Sequence, residues 1–446
     1  MRFKIFRPPW ILWRTREGEC EITLELHHVT PVACAVAVLV AHLAGANSVT
    51  WALFAATLAL ALISVTWAWQ MAHHVRAGRR LQARWVQVGD VMEEQFTLRN
   101  TSLLPVLWAE IADQSDVPGY NASIVRGLGS LDQITWTHSG ATTRRGEFHL
   151  GPWSVDTGDP LGIFVVRLNY LRAHPLLVYP PLTDLAFPPL PRGAAFGTSR
   201  IRQATATPTT NAGQVRAYEL GDSFRHIHWP TTARHDELMV KMFDQEASAD
   251  VWLMIDTDPA VQSGQDDSAT EEVAVLVAAS LAADLLRAGR AVGLLTFTPE
   301  RHVVRPARST HHLWTMLGEL ARLPNASQRG RSGQSLTQSL YQTARLLRSG
   351  SNIVIITSSG DPAWISDLTQ LAGRQIVPAV ILIDPAPGGR PRGSLLQSML
   401  AEQGVTCRSV RCDIPLPIRP ALGKTRRWEF KTLATGRVIK TMESVR

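Results

Sequence analysis

Cysteine is scarce in this sequence of 446 residues, which contains only Cys20, Cys34, Cys407 and Cys412. Their low number and wide spacing exclude a disulfide framework and favour a reducing compartment. Cys407 and Cys412 are separated by four residues, and no second pair follows that would complete a zinc knuckle. We therefore expect four ordinary thiols without a structural metal.

Short motifs of familiar enzyme classes are also missing. The chain has no Gly-x-Ser-x-Gly turn of a serine hydrolase and no His-Glu-x-x-His helix of a zinc protease. The Gly-Lys-Thr at positions 423–425 lacks the upstream glycine of a phosphate-binding loop, because that position is Ile418. We therefore predict a protein that is not an enzyme and that needs no cofactor.

Positive charge is concentrated near the C-terminus. The formal net charge is +7, and residues 413–446 contain eight Lys or Arg against three acids. Such a basic C-terminal tail suits anionic lipid or an acidic partner, and a solvated surface segment is the alternative. Its two aromatic residues do not form the repeated stacking pattern of nucleic-acid binders, so we predict no nucleic-acid partner.

No Asp, Glu, Lys or Arg occurs between Leu26 and Val75. Two apolar segments in this window approach the roughly 20 residues that a membrane-spanning helix needs. Trp51, Trp67 and Trp69 lie near their ends, where interfacial aromatic residues are enriched. We predict a two-helix transmembrane hairpin over residues 29–72. A signal peptide is the alternative, but the first apolar run begins late and a second follows it closely.

Basic residues flank this hairpin on both outer sides, whereas the segment between the two apolar runs has none. Because cytoplasmic loops are enriched in Lys and Arg, we expect both termini in the cytoplasm and the protein in the cell (inner) membrane. Residues 1–28 are then a cytoplasmic N-terminal segment.

Residues 73–185 show short apolar runs at intervals of about ten residues, with Gly, Asn and Pro between them, which predicts an antiparallel β-sandwich. Residues 186–213 are rich in Pro, Gly, Ala and Thr and are predicted to be a flexible linker. The sandwich and the part that follows are therefore separate domains.

Apolar runs and helical patterns alternate in residues 247–412. The run "DVWLMID" ends at Asp256, and the following helical pattern opens with a Ser268-x-x-Glu271 capping box. Alternation of this kind predicts a parallel sheet with helices on both faces. The loops at the carboxyl ends of its strands are the expected binding edge.

Charged and aromatic residues crowd into the segment 214–246, which precedes this domain. Its acids and imidazoles allow acid–base chemistry, since His226 and His228 have the spacing of one face of a strand. The alternative is an ion-paired brace between domains, with Trp229 as an apolar anchor. We favour the brace. The residues that we assign to it are Arg216, Tyr218, Gly221, Asp222, Arg225, Trp229 and Arg234.

Several of these stretches resemble the bacterial family catalogued as domain of unknown function fifty-eight. In the sandwich the resemblance rests on "RRGEFHLGP" (144–152), "GDPLGIF" (158–164) and "VYPP" (178–181). In the brace it rests on the residues just named, with Ile227 and Ala233. The resemblance implies a multidomain protein: a membrane hairpin, a β-sandwich and an α/β von Willebrand factor A-like (Rossmann-like) domain. His228 departs from the pattern, since the family has an acid there.

A von Willebrand A domain holds Mg²⁺ through an Asp-x-Ser-x-Ser loop, a later Thr and a late Asp. The corresponding residues here are Asp256, Asp258 and Ala260, then Ser335, with Asp361 as a substitute for the late acid. Ala260 has no ligand oxygen. We therefore predict a degenerate site at which Mg²⁺ binding is weak or absent.

The resemblance also implies partners, because such proteins occur beside MoxR-type AAA+ ATPases and transglutaminase-like membrane proteins. We expect a membrane-anchored cytoplasmic scaffold that binds other proteins in the assembly or maturation of a cell-envelope system. The alternative is a metal-assisted hydrolase that uses the acids and histidines within residues 222–258.

Overall fold

The structure, a computed structural model, describes residues 10–45, 47–81, 85–185, 212–219, 224, 227–235, 237–243, 250–298, 300–325, 334–385, 393–414, 416–419, 427–432 and 438–443. The chain divides into two compact units, Met1–Pro180 and Pro181–Arg446. Each unit has a hydrophobic core of its own.

The first unit is mainly β-structure and carries two helices near its N-terminus. Its elements are β1 (Trp10–Glu17), β2 (Cys20–Leu26), α1 (Thr30–Ala44), α2 (Ser48–His74), β3 (Val75–Leu81), β4 (Trp85–Gln87), β5 (Val91–Asn100), β6 (Val106–Asp113), β7 (Ile124–Leu128), β8 (Gln133–Ala141), β9 (Gly146–Leu150), β10 (Trp153–Gly158), β11 (Phe164–Tyr170) and β12 (His174–Tyr179).

These strands form three sheets. One has six strands in the order β1-β2-β11-β10-β6-β7, and the others are β3-β5-β8 and β4-β12-β9. The core between them follows from alternation along each strand: Phe96 and Leu98 are buried in β5, and Val166 and Leu168 in β11. Successive side chains of a strand point to opposite faces, so one face of each sheet is apolar.

The N-terminal boundary differs from the one expected for a separate segment 1–28. Residues 10–26 form the hairpin β1–β2, and β2 also pairs with β11, so both strands belong to the six-stranded sheet. Cys20, Ile22 and Leu24 alternate with polar residues and are buried. Gly18, with a φ of +61°, permits the tight turn between the two strands.

Only α2, among the helices that the structure describes, is long and apolar enough to cross a membrane by length and composition. Helix α1 is apolar but has 15 residues. Asn47 caps α2, and its side chain accepts a hydrogen bond from the Thr50 backbone N–H. The last third of α2 does not protrude: Ala68, Met71 and Ala72 lie in the core of the first unit.

A buried ionic network crosses this core. Arg79 of β3 donates to Glu94 at 2.6 to 3.1 Å and to Asp113 at 2.8 Å. The Tyr120 hydroxyl also donates to Glu94. Burial lowers the pKa of Arg79, but the hydrogen bonds and charge of Glu94, with the charge of Asp113, outweigh it, and the net direction is upward. The network therefore keeps a guanidinium charged inside an apolar core.

The second unit begins with a small two-stranded sheet and continues as an α/β fold. Its elements are β13 (Ala212–Ala217), α3 (Trp229–His235), β14 (Met239–Phe243), β15 (Val251–Ile255), α4 (Thr270–Arg287), β16 (Val292–Thr298), β17 (Glu300–Ala307), α5 (Thr310–Arg322), α6 (Leu336–Ala344), β18 (Asn352–Thr357), α7 (Ile365–Gly373), β19 (Val377–Asp384), α8 (Gly393–Glu402), β20 (Thr406–Arg411), β21 (Arg427–Thr432) and β22 (Val438–Glu443).

Six of these strands form one sheet in the order β17-β16-β15-β18-β19-β20. All of its pairs are parallel except β16 with the edge strand β17, which is antiparallel. Every residue of β15 and β18 is buried. Continuous apolar strands of this kind are typical of a sheet that is covered on both faces.

The start of α4 differs from the predicted capping box. Helix α4 begins at Thr270 after Ala269, which provides no side-chain cap. Ser268 instead ends a short 3-10 turn, and its hydroxyl donates to the Gln265 carbonyl at 2.9 Å. The predicted N-cap, Ser268, was therefore one residue before the observed N-cap, Ala269.

Two predicted domain boundaries, after residue 185 and after residue 412, fall inside the second unit. Thr183, expected in the sandwich, forms a β-bridge with Ile418, expected in the basic tail. The Thr183 backbone N–H donates to the Ser280 hydroxyl of α4 at 2.8 Å. Arg419 donates to Asp284 of α4 at 2.7 and 3.0 Å, and the pKa of Arg419 is raised by these bonds. Hydrogen bonds thus fasten residues 416–419 to α4.

Replacement of Arg79 by Met should destabilise the first unit by about 3–5 kcal/mol, because two buried carboxylates lose their counter-charge. Arg80→Met is the matched control, since Arg80 is exposed in the same strand. Urea unfolding, followed by pulse proteolysis of the first unit, measures both variants. Equal stability of the Arg79 variant and wild type would show that the network contributes nothing to this core.

Candidate functional site

The carboxyl edge of the second-unit sheet contains a point where strand order reverses. Strand β15 pairs with β16 on one side and with β18, which comes later in the chain, on the other. Ligands of open α/β sheets bind in the crevice at such switch points. Asp256 directly follows β15, and Thr357 is the last residue of β18. The two side chains thus face the expected binding edge.

Asp256 is 4% exposed, and both of its carboxylate oxygens accept hydrogen bonds. The Thr357 hydroxyl donates to Oδ2 at 2.6 Å, and the Asp258 backbone N–H donates to Oδ1 at 3.1 Å. Burial raises the pKa of Asp256 to about 6, although both hydrogen bonds oppose this shift, and the nearby charge of Asp258 adds to it. Asp256 therefore changes charge close to neutral pH.

A second layer of hydrogen bonds closes the loops around Asp256. Gln262 donates from Nε2 to the Asp256 carbonyl at 2.9 Å. Its Oε1 accepts from the hydroxyls of Thr270 at 2.6 Å and Ser358 at 3.2 Å. Ser358 also lies 3.1 Å from the Val261 carbonyl. One glutamine therefore joins the loop after β15, the loop after β18 and the start of α4.

The residues predicted to hold Mg²⁺ are mostly engaged elsewhere. Asp258 Oδ1 accepts from the Ala260 backbone N–H at 3.0 Å. Ser335 is exposed and caps α6, and Asp361 is exposed and caps a 3-10 turn through a bond of 3.0 Å from Ala363 N–H. Within the described residues, no group of three or more His, Cys, Asp or Glu side chains is placed to hold a metal.

These contacts fit Mg²⁺ poorly. Both carboxylate oxygens of Asp256 accept protein hydrogen bonds, and Ala260, at a position where the resemblance implies an oxygen ligand, offers only a methyl group. Mg²⁺ demands near-octahedral oxygen geometry, which a carboxylate already held by two protein donors does not supply alone.

Thr357, Gln262 and Thr270 were not identified from the sequence. The sequence did contain a signal for Thr357. The carboxyl ends of neighbouring parallel strands lie side by side, so the threonine at the end of "NIVIIT" is expected beside the aspartate at the end of "DVWLMID". Gln262 and Thr270 had none, since their contact depends on the loop conformation between β15 and α4.

The brace residues are only partly covered by the structure. Gly221, Asp222 and Arg225 lie outside the described residues, as does His226. The Tyr218 backbone N–H donates to the Leu238 carbonyl at 2.7 Å, and its ring lies 5.5 Å from that of Phe224. Arg216 pairs in register with Val240 through β13 and β14.

Trp229 differs from its predicted part as an apolar anchor. It begins α3 and is 63% exposed, whereas the neighbouring Ile227 is 3% exposed and forms a bridge with Val240. Arg234 is exposed on the same short helix. His228 Nδ1 lies 2.6 Å from the Thr231 hydroxyl of that helix. Ile227, and not Trp229, is thus buried near the start of α3.

The raised pKa of Asp256 gives a pH-dependent prediction. The folded protein keeps a proton that the unfolded chain releases, so this stabilisation is present at low pH and is lost as the pH rises through about 6. We expect the unfolding free energy of Asp256→Asn, relative to wild type, to rise by about 2 kcal/mol between about pH 4 and about pH 7.

Urea unfolding at a series of pH values, read by pulse proteolysis of the second unit, checks this expectation. Asp361→Asn is the matched control, because it removes an exposed carboxyl from the loop after β18. A difference between Asp256→Asn and wild type that stays constant across this range would contradict the assigned pKa.

Comparison with known proteins finds relatives that are uncharacterised. The uncharacterized protein YeaD of Bacillus subtilis (strain 168) is 26% identical over 289 residues, which cover 61% of this chain and 68% of that protein. The uncharacterized protein Rv1480 of Mycobacterium tuberculosis is 26% identical over 200 residues, which cover 44% of this chain and 62% of that protein.

A solved CARDB domain from Pyrococcus furiosus is 11% identical and matches 23% of this chain and 91% of its own, but its TM-score of 0.17 supports no conclusion. The family model described as "Protein of unknown function DUF58" matches residues 214–411, which run from β13 to the end of β20. The resemblance to this family is therefore confirmed for residues 214–411.

Proposed function

We propose that this protein is a membrane-anchored, non-enzymatic scaffold whose second unit binds another protein through the carboxyl edge of its sheet. One observation carries the proposal: the polar groups at the switch point are satisfied by one another. Asp256, Gln262 and Thr357 form hydrogen bonds that hold the loops after β15 and β18 in a fixed arrangement. A fixed surface of this kind suits recognition by shape, because little ordering entropy is lost when a partner binds.

The anchoring part of the proposal rests on α1 and α2. Both helices lie in the segment that has no Asp, Glu, Lys or Arg, and α2 meets the length and composition of a span. With basic residues on both outer sides of the hairpin, we propose two spans in the cell (inner) membrane and both termini in the cytoplasm.

The proposed protein partners come from the family resemblance. Members of that family occur beside MoxR-type AAA+ ATPases and transglutaminase-like membrane proteins, so we propose such an ATPase as the partner of the edge loops. The shared task would be the assembly or maturation of a cell-envelope system. The von Willebrand A-like character of the second unit is part of the same proposal.

The raised pKa of Asp256 favours a second candidate, a hydrolase that uses this acid as a general acid or base. Two features count against it. Asp256 is 4% exposed, and its oxygens are held by Thr357 and Asp258. His228, one of the histidines of this alternative, bonds with the Thr231 hydroxyl of the short helix that follows it. The scaffold therefore accounts for more of the geometry.

Charged substitutions at the edge should weaken partner binding. Ala260 and Ala363 are exposed in the loops after β15 and β18, and arginine at either position should reduce the recovery of the partner about tenfold, which corresponds to about 1.4 kcal/mol. Affinity purification from solubilised membranes, with quantitative mass spectrometry of co-purifying proteins, measures this.

Gln403→Arg is the matched control, since Gln403 is exposed in the turn before β20, at the opposite edge of the sheet. Equal losses in all three variants, or none in the two edge variants, would count against the edge as the binding surface. Loss of a hydrolytic activity in Asp256→Asn, with partner recovery intact, would favour the second candidate.

Mg²⁺ titration separates a degenerate edge from a working metal site. We expect no Asp256-dependent heat when Mg²⁺ is added to the full-length protein in detergent, because the carboxylate is already hydrogen-bonded and Ala260 supplies no ligand. Isothermal calorimetry of wild type and Asp256→Ala measures this. Tight binding that disappears in the variant would contradict the expectation.

A further inference from the structure

One end of the six-stranded sheet in the first unit lies where the helical hairpin emerges. Trp10 of β1 and Phe164 of β11 both pair in register with Leu26 at the end of β2. The backbone N–H of His27 donates to the Ile163 carbonyl at 2.8 Å, and α1 begins at Thr30. The start of β1 and the turn between β10 and β11 therefore lie beside the base of α1.

The second helix returns to the same end. His42 Nδ1 of α1 lies 2.9 Å from the Thr50 hydroxyl of α2, so the two antiparallel helices meet at their tip. Counting back from this contact places Thr30 beside the turn of α2 that precedes Ser64, which is fully buried. From Ser64 onward, α2 packs on the sheets of the first unit.

The protruding hairpin is consequently short. Helix α1 has 15 residues, and α2 has a similar number before Ser64. At 1.5 Å per residue each free helix is about 22–24 Å long, whereas the hydrocarbon core of a bilayer is roughly 30 Å thick. A hairpin of this length brings the end of the sheet to the surface of the bilayer, with little room between them.

Exposed apolar side chains surround this end. Trp10, Ile11 and Leu12 are 70%, 51% and 53% exposed, and Val29 and Leu161 are 47% and 49% exposed. We call these five residues the collar. Large exposed apolar patches mark interaction surfaces, and Trp is enriched at membrane interfaces.

Contacts between β1 and α2 fix the position of the collar residues of β1. The Trp13 ring lies 5.4 Å from Trp69 and 5.1 Å from His73 of α2. The register of β1 shifts at Leu12, where a bulge is formed, and β1 is at the edge of its sheet in the described strand order. Bulges and edge positions re-aim side chains. Trp10, Ile11 and Leu12 thus directly precede Trp13, which packs against α2.

Basic residues flank the collar in the sequence. Arg14 follows it in β1 with its side chain 63% exposed, and it pairs with Glu21 of β2. In the sequence, Arg2, Lys4 and Arg7 precede Trp10, and Phe3, Ile5 and Phe6 lie between them. Apolar side chains next to Lys and Arg are typical of segments that lie in the interface of an anionic membrane.

We propose that the collar docks on the interface of an anionic lipid bilayer, with Trp10 and Leu12 inserted at headgroup level. The proposal deepens the membrane anchoring proposed above and rests on it. The short hairpin and the collar act together. The short hairpin draws the collar to the headgroups, and the collar holds the hairpin at a depth that suits its length.

Single-cysteine labelling tests this on the full-length protein. Leu12→Cys, Leu60→Cys and Leu171→Cys, each on a background with Ser at the four natural cysteine positions, receive an environment-sensitive nitrobenzoxadiazole label. Leu60 lies in the free part of α2, and Leu171 is 54% exposed at the other end of β11 as the matched control. The proteins are reconstituted into phosphatidylglycerol and phosphatidylethanolamine vesicles that contain nitroxide-bearing lipids.

We expect blue-shifted emission and nitroxide quenching at positions 12 and 60 and neither at position 171. Quenching at 60 without quenching at 12 would overturn the collar proposal and leave the anchor standing. A blue shift at 12 without quenching would show that protein, such as a second copy of this chain, covers β1 instead. No quenching at 60 would overturn the anchor and the collar together, and quenching at all three positions would contradict a contact confined to one end.

Discussion

Helix α2 belongs both to the apolar hairpin and to the core of the first unit, and the hairpin is therefore joined rigidly to the sheets. Ala68, Met71 and Ala72 are fully buried, so the end of α2 cannot leave the sheets without opening the core. Arg79, five residues after α2 ends, carries the central charge of the buried network. Any force on the hairpin is therefore transmitted directly to the sheets, because no flexible linker lies between them.

The second unit depends on a different constraint, an acid at the reversal of strand order. Asp256 receives hydrogen bonds from a hydroxyl and a backbone N–H, which are neutral donors, whereas Glu94 in the first unit receives them from a guanidinium. Neutral donors do not offset the full cost of burying a negative charge, and the pKa of Asp256 rises to about 6. A buried acid with neutral partners is thus the electrostatically sensitive point of this unit.

The local pattern of apolar residues allowed much of the second unit to be predicted from the sequence. Features that depend on contacts between distant residues could not be predicted in this way. The strands that precede Asp256 and Ser358 are continuous apolar runs, and both lie where the pattern indicated. The start of α4 was displaced, because Thr270 is held by Gln262 and Ser263 across a loop and not by a local cap.

The same limit explains the N-terminus and the brace. Buried apolar residues alternate with polar ones along β2, which is a strand pattern. The pairing of β2 with β11, more than a hundred residues away, could not be read from the sequence, and residues 1–28 were therefore predicted as a separate segment. Trp229 was assigned as an anchor from its size and apolarity, and the structure buries the smaller Ile227 beside it instead. The predicted charge pairs of Asp222 and Arg225 lie outside the described residues and remain predictions.

The chemistry of the edge also restricts what kind of partner fits it. A partner that offers a carboxylate, as an acidic ligand to a metal would, meets the charge of Asp258 and, above about pH 6, that of Asp256. Among the described residues no cluster of ligands is placed to hold a cation that would reverse this repulsion. A partner that offers donors or a positive charge meets no such barrier, and its approach would lower the pKa of Asp256 by favouring the charged form. For the partner proposed at this edge we therefore expect basic or neutral polar loops rather than acidic ones, and the preference should increase as the pH rises past the point at which Asp256 ionises.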